Sequence, residues 1–202
     1  MRERKRDYFY RKAKTENYRS RAVYKLLEAI KRYRFIKKGD VVVDLGAAPG
    51  GWVQGCLKVV GKKGFVLAVD VRSITPFNAD NVAFIKRDIS KPETLKDILE
   101  RLPSAADVVI SDVAPNLSGV WEVDHARQIK LAYDALEIAK GTLKRKGNFF
   151  VKIFEGDLSN DFVKEVKKHF EVLRIFRPKA SRKRSSEIYI LGLGYKKSNS
   201  TG

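Results

Sequence analysis

Residues 41–52 join an apolar run to an acidic, glycine-rich turn, Val-Val-Val-Asp-Leu-Gly-Ala-Ala-Pro-Gly-Gly-Trp. The β-branched residues are typical of a buried parallel strand. Glycines allow the backbone to approach a ligand closely, and a helix that begins after the turn offers unpaired N–H groups to an anion. The segment predicts a site for a nucleotide-like cofactor, although a tight connection between a strand and a helix could have the same composition.

The spacing within this turn, D-x-G-x-x-P-G-G, distinguishes between kinds of cofactor. Dinucleotide sites have G-x-G-x-x-G, with one glycine packing the helix against the strand. The turn instead resembles the first motif of the S-adenosylmethionine (SAM)-dependent methyltransferases, in which the ligand's only anion is a methionine carboxylate. Asp44, Gly46 and Gly50 are therefore predicted to contact SAM.

Four predicted strands in succession end at an aspartate: Asp44, Asp70, Asp88 and Asp112. In an open α/β sheet, ligands bind at the carboxyl ends of the strands. Asp70 follows the glycine turn by about 20 residues, where a carboxylate can accept both ribose hydroxyls of an adenosine. Asp88 could accept the adenine amino group, and Asp112 lies nearest the expected reactive methyl. Any one of them could instead cap a loop or a helix.

The surrounding elements alternate between apolar runs and amphipathic stretches, which predicts an α/β fold with a mostly parallel, seven-stranded sheet. The last two strands are joined by ten residues, too few for a crossover helix, so we expect an antiparallel hairpin at one end of the sheet. Residues 18–195 form the expected single domain, and residues 1–17 and 196–202 look flexible. Strands are expected at 40–45, 65–70, 82–86, 106–111, 147–153, 171–176 and 187–194, and helices at 20–32, 51–59, 92–101, 124–143 and 159–169.

The net charge of +18 is concentrated at the two ends of the chain. Residues 1–38 contain 15 Lys/Arg and 4 Asp/Glu, and residues 164–202 contain 11 and 3. The middle of the chain is close to neutral. Basic ends interleaved with aromatic residues favour a polyanion such as RNA, and residues 1–17 read as an RNA-binding arm. A lysine-rich surface of a heat-adapted protein is the alternative.

Composition excludes several classes of protein. Cys56 is the single cysteine and there are two histidines, so a disulfide framework and a zinc site are not expected, and Cys56 should pack in the core. No apolar run approaches the roughly 20 residues that span a bilayer. These features predict a soluble, cytoplasmic protein without a metal or a membrane partner, and we expect a monomer.

Five motifs follow one another along the chain: Ser20–Leu26, Asp44–Trp52, Ser111–Gly119, Phe150–Phe154 and Ser181–Tyr189. Together, over about residues 18–194, they resemble the FtsJ/RrmJ-type 2′-O-ribose RNA methyltransferases. The resemblance implies a Rossmann-like, SAM-dependent methyltransferase fold and methyl transfer to a ribose 2′-hydroxyl, most specifically of a uridine in large-subunit (23S-type) ribosomal RNA, free or in the large ribosomal subunit. It also implies SAM contacts at Gly50, Trp52, Asp70, Asp88 and Asp112.

The family's Lys-Asp-Lys-Glu catalytic tetrad falls on Lys25, Asp112, Lys152 and Glu187 without substitution. Attack by a ribose hydroxyl needs a base, and Lys152 is the best candidate if it is neutral. Alternatively, Lys152 stays charged and stabilises the developing alkoxide. Taken singly, the four could be a helix-surface lysine, a loop cap, a strand-edge lysine and a partner of nearby arginines.

Three other functions remain open at this stage. A tRNA anticodon-loop 2′-O-methyltransferase would share the tetrad, and a ribosome-assembly factor would share the RNA-binding charge. A small-molecule methyltransferase fits the charged ends poorly.

Trp52 and Trp121 could each pack on a cofactor or RNA, or fill the core. Besides residues 1–38, the basic segment 177–186 is expected to bind phosphates.

Overall fold

A computed structural model describes residues 2–181 and 186–197, with side chains from residue 8 onward. Arg182, Lys183, Arg184 and Ser185 of the predicted phosphate-binding segment lie outside the described residues, as do 198–202 of the predicted tail. The helices are α1 Arg2–Thr15, α2 Val23–Tyr33, α3 Gly51–Val60, α4 Glu93–Arg101, α5 Trp121–Thr142 and α6 Ser159–His169. The strands are β1 Val41–Leu45, β2 Phe65–Asp70, β3 Val82–Lys86, β4 Ala106–Ser111, β5 Leu143–Phe154, β6 Phe170–Phe176 and β7 Glu187–Tyr195.

These strands form one seven-stranded sheet in the order β3-β2-β1-β4-β5-β7-β6. The first five are parallel, and β7 pairs antiparallel with both β5 and β6. The predicted α/β class, the mostly parallel sheet and the terminal antiparallel hairpin are confirmed. The order reverses direction at β1 and β4, so their carboxyl ends form the switch point at which such sheets bind ligands.

Both faces of the sheet are covered, which explains the unbroken apolar run of β1. Val42 belongs to a cluster with residues of α2 and α3, whereas Val43 and Leu45 belong to a cluster with residues of α4, α5 and α6. A strand buried on both faces cannot alternate between apolar and polar residues. The central strands are thus held rigidly, and the groups at their carboxyl ends are held with them.

Apart from two larger differences, every element boundary lies within three residues of the sequence-based expectation. Strand β5 begins at Leu143, before the predicted residue 147, because Leu143 already pairs with Ala106 ahead of an irregularity in the β4–β5 register. The structure also contains α1, which was not predicted. The low apolar content of α1 gave no helical pattern in the sequence. In the structure, Phe9 and Ala13 nevertheless pack with Tyr24 of α2 in a small separate cluster.

Candidate active site

The glycine turn after β1 lies where other parts of the chain leave no room for side chains. Gly46 has φ +77°, and a Cβ there would lie 2.6 Å from Val113. Gly50 has φ +108°, and a Cβ there would lie 2.6 Å from the ring of Phe77. The guanidinium of Arg19 lies over the same ring at 3.8 Å and donates to the carbonyl of Pro76. The turn is therefore confined on two sides, which fits a close approach of its backbone to a ligand.

Asp44 lies at the end of β1 and is buried, with 1% of its surface exposed. Neither carboxylate oxygen has a hydrogen-bond partner among the described residues. Burial raises the pKa of Asp44 well above 3.8, and the charges of Asp112 and Asp70 raise it further. An unpartnered buried carboxylate is costly. Asp44 is therefore suited to a positively charged ligand group that would satisfy it.

Asp70, at the end of β2, is committed to holding the loops around it. Its two oxygens accept hydrogen bonds from the backbone N–H of Ala48, at 2.9 Å, and of Arg72, at 2.8 Å. A carboxylate has about four acceptor positions, so further donors can still bind. The aspartate thus couples the glycine turn to the loop after β2, and ribose hydroxyls would have to share its oxygens.

Asp88 follows β3 and caps its own loop, since its Oδ1 accepts a hydrogen bond from the Ser90 backbone at 2.9 Å. That bond is the main cause of the lowered pKa of Asp88. Trp52 is buried within the second core cluster, where it stacks on Phe150 and donates to the carbonyl of Ala22. Of the alternatives for this indole ring, core packing is the one found, so any cofactor contact by Trp52 would involve its backbone.

The four tetrad residues form two ion pairs. The Lys152 ammonium donates to the backbone carbonyl of Asp112 at 2.7 Å and lies 3.1 Å from its Oδ1. The Lys25 ammonium lies 2.7 and 2.8 Å from the two oxygens of Glu187. Lys25 comes from α2, Asp112 from the end of β4, Lys152 from β5 and Glu187 from the start of β7. Four separate elements thus converge at the carboxyl edge of the sheet.

Tyr189 joins the two pairs, and the sequence analysis did not single it out. Its hydroxyl donates to Asp112 Oδ1 at 2.8 Å, and its ring lies 5.9 Å from the Lys25 ammonium. Burial raises the pKa of Tyr189 well above 10, and the charges of Asp112 and Glu187 add to this, so the hydroxyl stays a donor. The available signal was its spacing, because residues two apart on a strand share a face and Glu187 was already a candidate.

Asp112 stays ionised although only 20% of its side chain is exposed. Burial by itself would raise its pKa, but the positive charges of Lys152 and Lys25, together with the Tyr189 hydrogen bond, outweigh that effect and lower it. Asp112 is therefore a fixed negative charge between Lys152 and the tyrosine hydroxyl. Its position constrains the Lys152 ammonium at the end of a long, otherwise flexible side chain.

The loop that follows Asp112 is held by two further residues that sequence analysis missed. Gln128 of α5 donates from its amide to the carbonyls of Val113 and Lys152, both at 3.1 Å. Asp124 accepts hydrogen bonds from the backbone N–H of Ser118 and Gly119. A buried Gln and an Asp in the first turn of a helix gave no spacing signal by which to find them.

Within residues 2–181 and 186–197, no group of three or more His, Cys, Asp or Glu residues could hold a metal ion. In that same part of the chain, no helix is both long and apolar enough to cross a membrane. Cys56 is fully buried in α3, where burial, followed by the charge of Asp44, raises the pKa of its thiol.

Comparison with known proteins decides the family. The model of the FtsJ-like methyltransferases matches residues 18–195. The chain belongs to this family. The methyltransferase is 48% identical over 196 residues to the ribosomal RNA large subunit methyltransferase E of Methanocaldococcus jannaschii, covering 96% of this chain and 80% of that protein. It is 50% identical over 194 residues to the protein of the same name from Methanothermobacter thermautotrophicus, covering 96% and 92%.

Solved structures agree with this assignment. A Plasmodium falciparum structure described as a ribosomal RNA methyltransferase is 28% identical to this methyltransferase, with a TM-score of 0.76, and the match covers 88% of this chain and 98% of that one. Fibrillarin from Aeropyrum pernix, solved with natively bound SAM, has a TM-score of 0.61 over 87% of this chain and 75% of that one. At 18% identity, the fibrillarin match shows the shared fold alone.

Proposed function

We propose that this methyltransferase transfers the methyl group of SAM to the 2′-hydroxyl of a ribose in large-subunit ribosomal RNA, in the cytoplasm. The observation that carries the proposal is the pair of linked ion pairs, Lys152–Asp112 and Lys25–Glu187, beside the confined glycine turn. The names of the two archaeal relatives support ribosomal RNA as the substrate. The conversion requires a cofactor site and a proton-handling site at the same edge of the sheet, and this edge holds residues suited to both.

The residues around the glycine turn fit SAM. The unpartnered carboxylate of Asp44 can accept the methionine ammonium, and the first N–H groups of α3 can receive the methionine carboxylate. Gly46 and Gly50 give the turn its path beside Asp44, because both have positive φ and protein atoms occupy the place that a Cβ would take. We assign the ribose hydroxyls to Asp70 and the adenine amino group to Asp88. No metal has a role in this proposal.

Bound SAM supplies a methyl group on a positively charged sulfur. Transfer forms the bond between the ribose O2′ and the methyl carbon and breaks the carbon–sulfur bond, whose electron pair stays on sulfur as a neutral thioether. The hydroxyl proton passes to Lys152 if Lys152 acts as the base, or to water if Lys152 remains charged and stabilises the alkoxide. We propose that Lys152 contacts the O2′ atom, because its ammonium is held near the end of β5 by the backbone carbonyl and by the Oδ1 of Asp112. Asp112 and Tyr189 position Lys152, while Lys25, whose ammonium lies 5.9 Å from the tyrosine ring, forms the second ion pair of the site with Glu187.

The catalytic domain in this proposal is 18–195, with RNA contacts from the basic ends. Helix α1 carries exposed Tyr8 and Tyr10 among its arginines and lysines. The other basic segment adjoins the tetrad, because Ser181 donates to Glu187 at 2.8 Å. Phosphates bound there would hold a ribose near Lys152, and their neutralisation should make binding weaken with added salt.

The test is incubation of the protein and labelled SAM with deproteinised total RNA, with isolated large subunits and with transfer RNA. We expect label in large-subunit RNA, at one ribose whose 3′ linkage becomes resistant to alkali. Label confined to transfer RNA would contradict ribosomal RNA as the substrate and make transfer RNA the substrate instead. Label on a base would overturn the 2′-hydroxyl assignment.

A further inference from the structure

An exposed tryptophan stands at the edge of the site. Trp121, the first residue of α5, has 45% of its surface exposed. Its ring lies nearly parallel to those of His125, at 5.5 Å and 9°, and Phe154, at 6.1 Å and 25°. The other tryptophan, Trp52, is 4% exposed and belongs to the core. One exposed ring alone needs no ligand to explain it, but an aromatic ring within a larger exposed apolar patch is typical of an interaction site.

Trp121 lies next to the reacting groups in two ways. Phe154, on which it stacks, pairs in register with Glu187 and lies two residues beyond Lys152 on β5. The loop from Asp112 leads directly into α5, which Trp121 begins. A nucleotide that presents its ribose to Lys152 therefore has this indole within reach of its neighbours in the strand.

The indole is held on a rigid support. His125 Nε2 accepts a hydrogen bond from the Leu158 backbone at 3.1 Å. A Cβ at Gly156 would lie 2.8 Å from the same nitrogen, so the next loop packs closely against the histidine. Asp124 fixes the backbone of Ser118 and Gly119 just before the helix. A preorganised aromatic surface loses little conformational entropy when a planar group stacks on it.

Neighbouring residues add apolar surface, and the exposed charges directly beside Trp121 and Leu158 are acidic, at Glu122 and Asp157. Leu117, Val120, Val123 and Leu158 are all exposed, by 38–69%. Phosphates are not suited to such a surface, whereas unstacked bases are, because every base offers an apolar face. Sequence-specific RNA recognition commonly splays bases out of a strand and stacks them on aromatic side chains.

We propose that Trp121 is a stacking platform for a base of the RNA substrate next to the methylated ribose. The inference rests on the proposed function, because it places that base by the position of Lys152. It adds a binding residue outside the tetrad and outside the two basic segments. Trp121 thereby sets which strand conformation the enzyme accepts, and the basic segments supply affinity for phosphates.

Fluorescence provides the direct test, since the chain has two tryptophans and Trp52 is buried. We titrate the full chain with a short single-stranded oligouridylate and with a matched oligonucleotide that contains abasic positions. The intact strand should quench the emission of Trp121, and the abasic strand should quench it much less at equal phosphate concentration. Trp121→Phe should remove the difference. Equal quenching by both strands, or none, would overturn base stacking.

Kinetics on ribosomal RNA separates this inference from the function on which it rests. Trp121→Ala should raise KM for RNA at least about fivefold, as expected for loss of one stacked base, with the Kd of SAM unchanged. Trp121→Phe keeps an aromatic face and should give an intermediate KM. Leu99→Ala on α4, a residue with 48% exposure, is the matched control and should behave as the wild type.

Each contrary result has a distinct meaning. An unchanged KM in Trp121→Ala, with an active wild type, refutes the platform and leaves the methyltransferase function intact. No transfer to any RNA by the wild type, with base-dependent quenching preserved, refutes the function and leaves the platform. A defect on assembled subunits alone would show that this surface docks on a ribosomal protein, which also overturns the inference.

Discussion

Two aspartates at the carboxyl ends of adjacent strands of this sheet have opposite surroundings. Asp44 ends β1 with no hydrogen-bond partner among the described residues, and its pKa is raised by burial. Asp112 follows β4 and is paired with Lys152 and Tyr189, and the lysine charges lower its pKa against the effect of burial. The same side chain at the same edge is therefore left open to a ligand in one case and committed to the protein in the other.

This difference divides the site into two halves that the chain builds in different ways. The half around Asp44 comes from one continuous segment, the glycine turn, whose path depends on the positive φ angles of Gly46 and Gly50. The half around Asp112 is assembled from four elements by charge, and its members satisfy one another before any substrate arrives. A positively charged group of the cofactor can thus pair with the carboxylate of Asp44. The reacting hydroxyl instead meets a set of charges that is already organised before it binds.

The largest effect should come from Lys152→Ala, which removes the group assigned to the ribose O2′. We expect methyl transfer to fall by about 10²–10⁴-fold or more, the range for proton-transfer catalysis. SAM affinity should stay within a few-fold, because the half around Asp44 is untouched. Single-turnover transfer and SAM titration measure the two, and Lys62→Ala, at an exposed loop lysine, is the control.

Lys152→Arg then separates the two roles left open for the lysine. Arginine keeps the positive charge and does not release its proton at any ordinary pH. Substantial activity in this variant would favour stabilisation of the alkoxide by charge. Activity as low as that of the alanine variant, with SAM binding intact, would favour proton acceptance. Strong transfer by Lys152→Ala itself would contradict both roles.

Much of this molecule was accessible from its sequence. In the part of the chain that the structure describes, all seven strands and five of the six helices follow from apolar periodicity, because both faces of the sheet are buried and strand composition is strongly biased. Helix α1 was missed, since Phe9 and Ala13 are too few to mark an apolar face without knowledge of Tyr24, which they contact. Local patterns cannot reveal a surface supplied by another element.

The candidate site was likewise predictable from the sequence only in part. The glycine turn was visible as one contiguous motif, and the tetrad positions came from the family resemblance. Which lysine pairs with which acid was not predictable, because Lys25 and Glu187 are 162 residues apart in the chain. Nor could composition distinguish Asp88, which caps its loop through one oxygen, from Asp44, which has no partner. Those distinctions depend on donors brought near by folding.

Asp112→Asn should destabilise the fold, because it leaves the ammonium of Lys152 buried without its counter-ion. The expected cost is about 3–5 kcal/mol in the free energy of unfolding, as for other buried pairs that lose one partner. Denaturant unfolding at pH 7.5 measures it. The amide retains an oxygen that can accept from Tyr189, so the change reports on charge. Wild-type stability in this variant would mean that the Lys152–Asp112 ion pair contributes nothing to the free energy of unfolding.

Asp44→Asn should have the opposite sign in the absence of SAM. It replaces an unpartnered buried carboxylate by a neutral group of the same shape, so the free energy of unfolding should stay level or increase. SAM affinity should fall about tenfold or more, equivalent to about 1.4 kcal/mol, because the ammonium partner is lost. Calorimetric titration with SAM measures that loss. Reduced stability combined with unchanged SAM affinity would remove the contrast with Asp112.

The smallest and sharpest signal is the pH window in which each variant differs from the wild type. The pKa of Asp112 is below 3.8, so its contribution is fully present above pH 3.8 and is lost only as pH falls through the lower folded value. The pKa of Asp44 is above 3.8, so the penalty for ionising it is absent at pH 3.8 and develops as pH rises through the higher folded value. In unfolding experiments at about pH 4, the defect of Asp112→Asn should already be complete, while any gain from Asp44→Asn should be small and should grow by pH 7.5. Parallel pH curves for the two variants would show that the two aspartates share one environment and would refute the division of the site into an open half and a committed half.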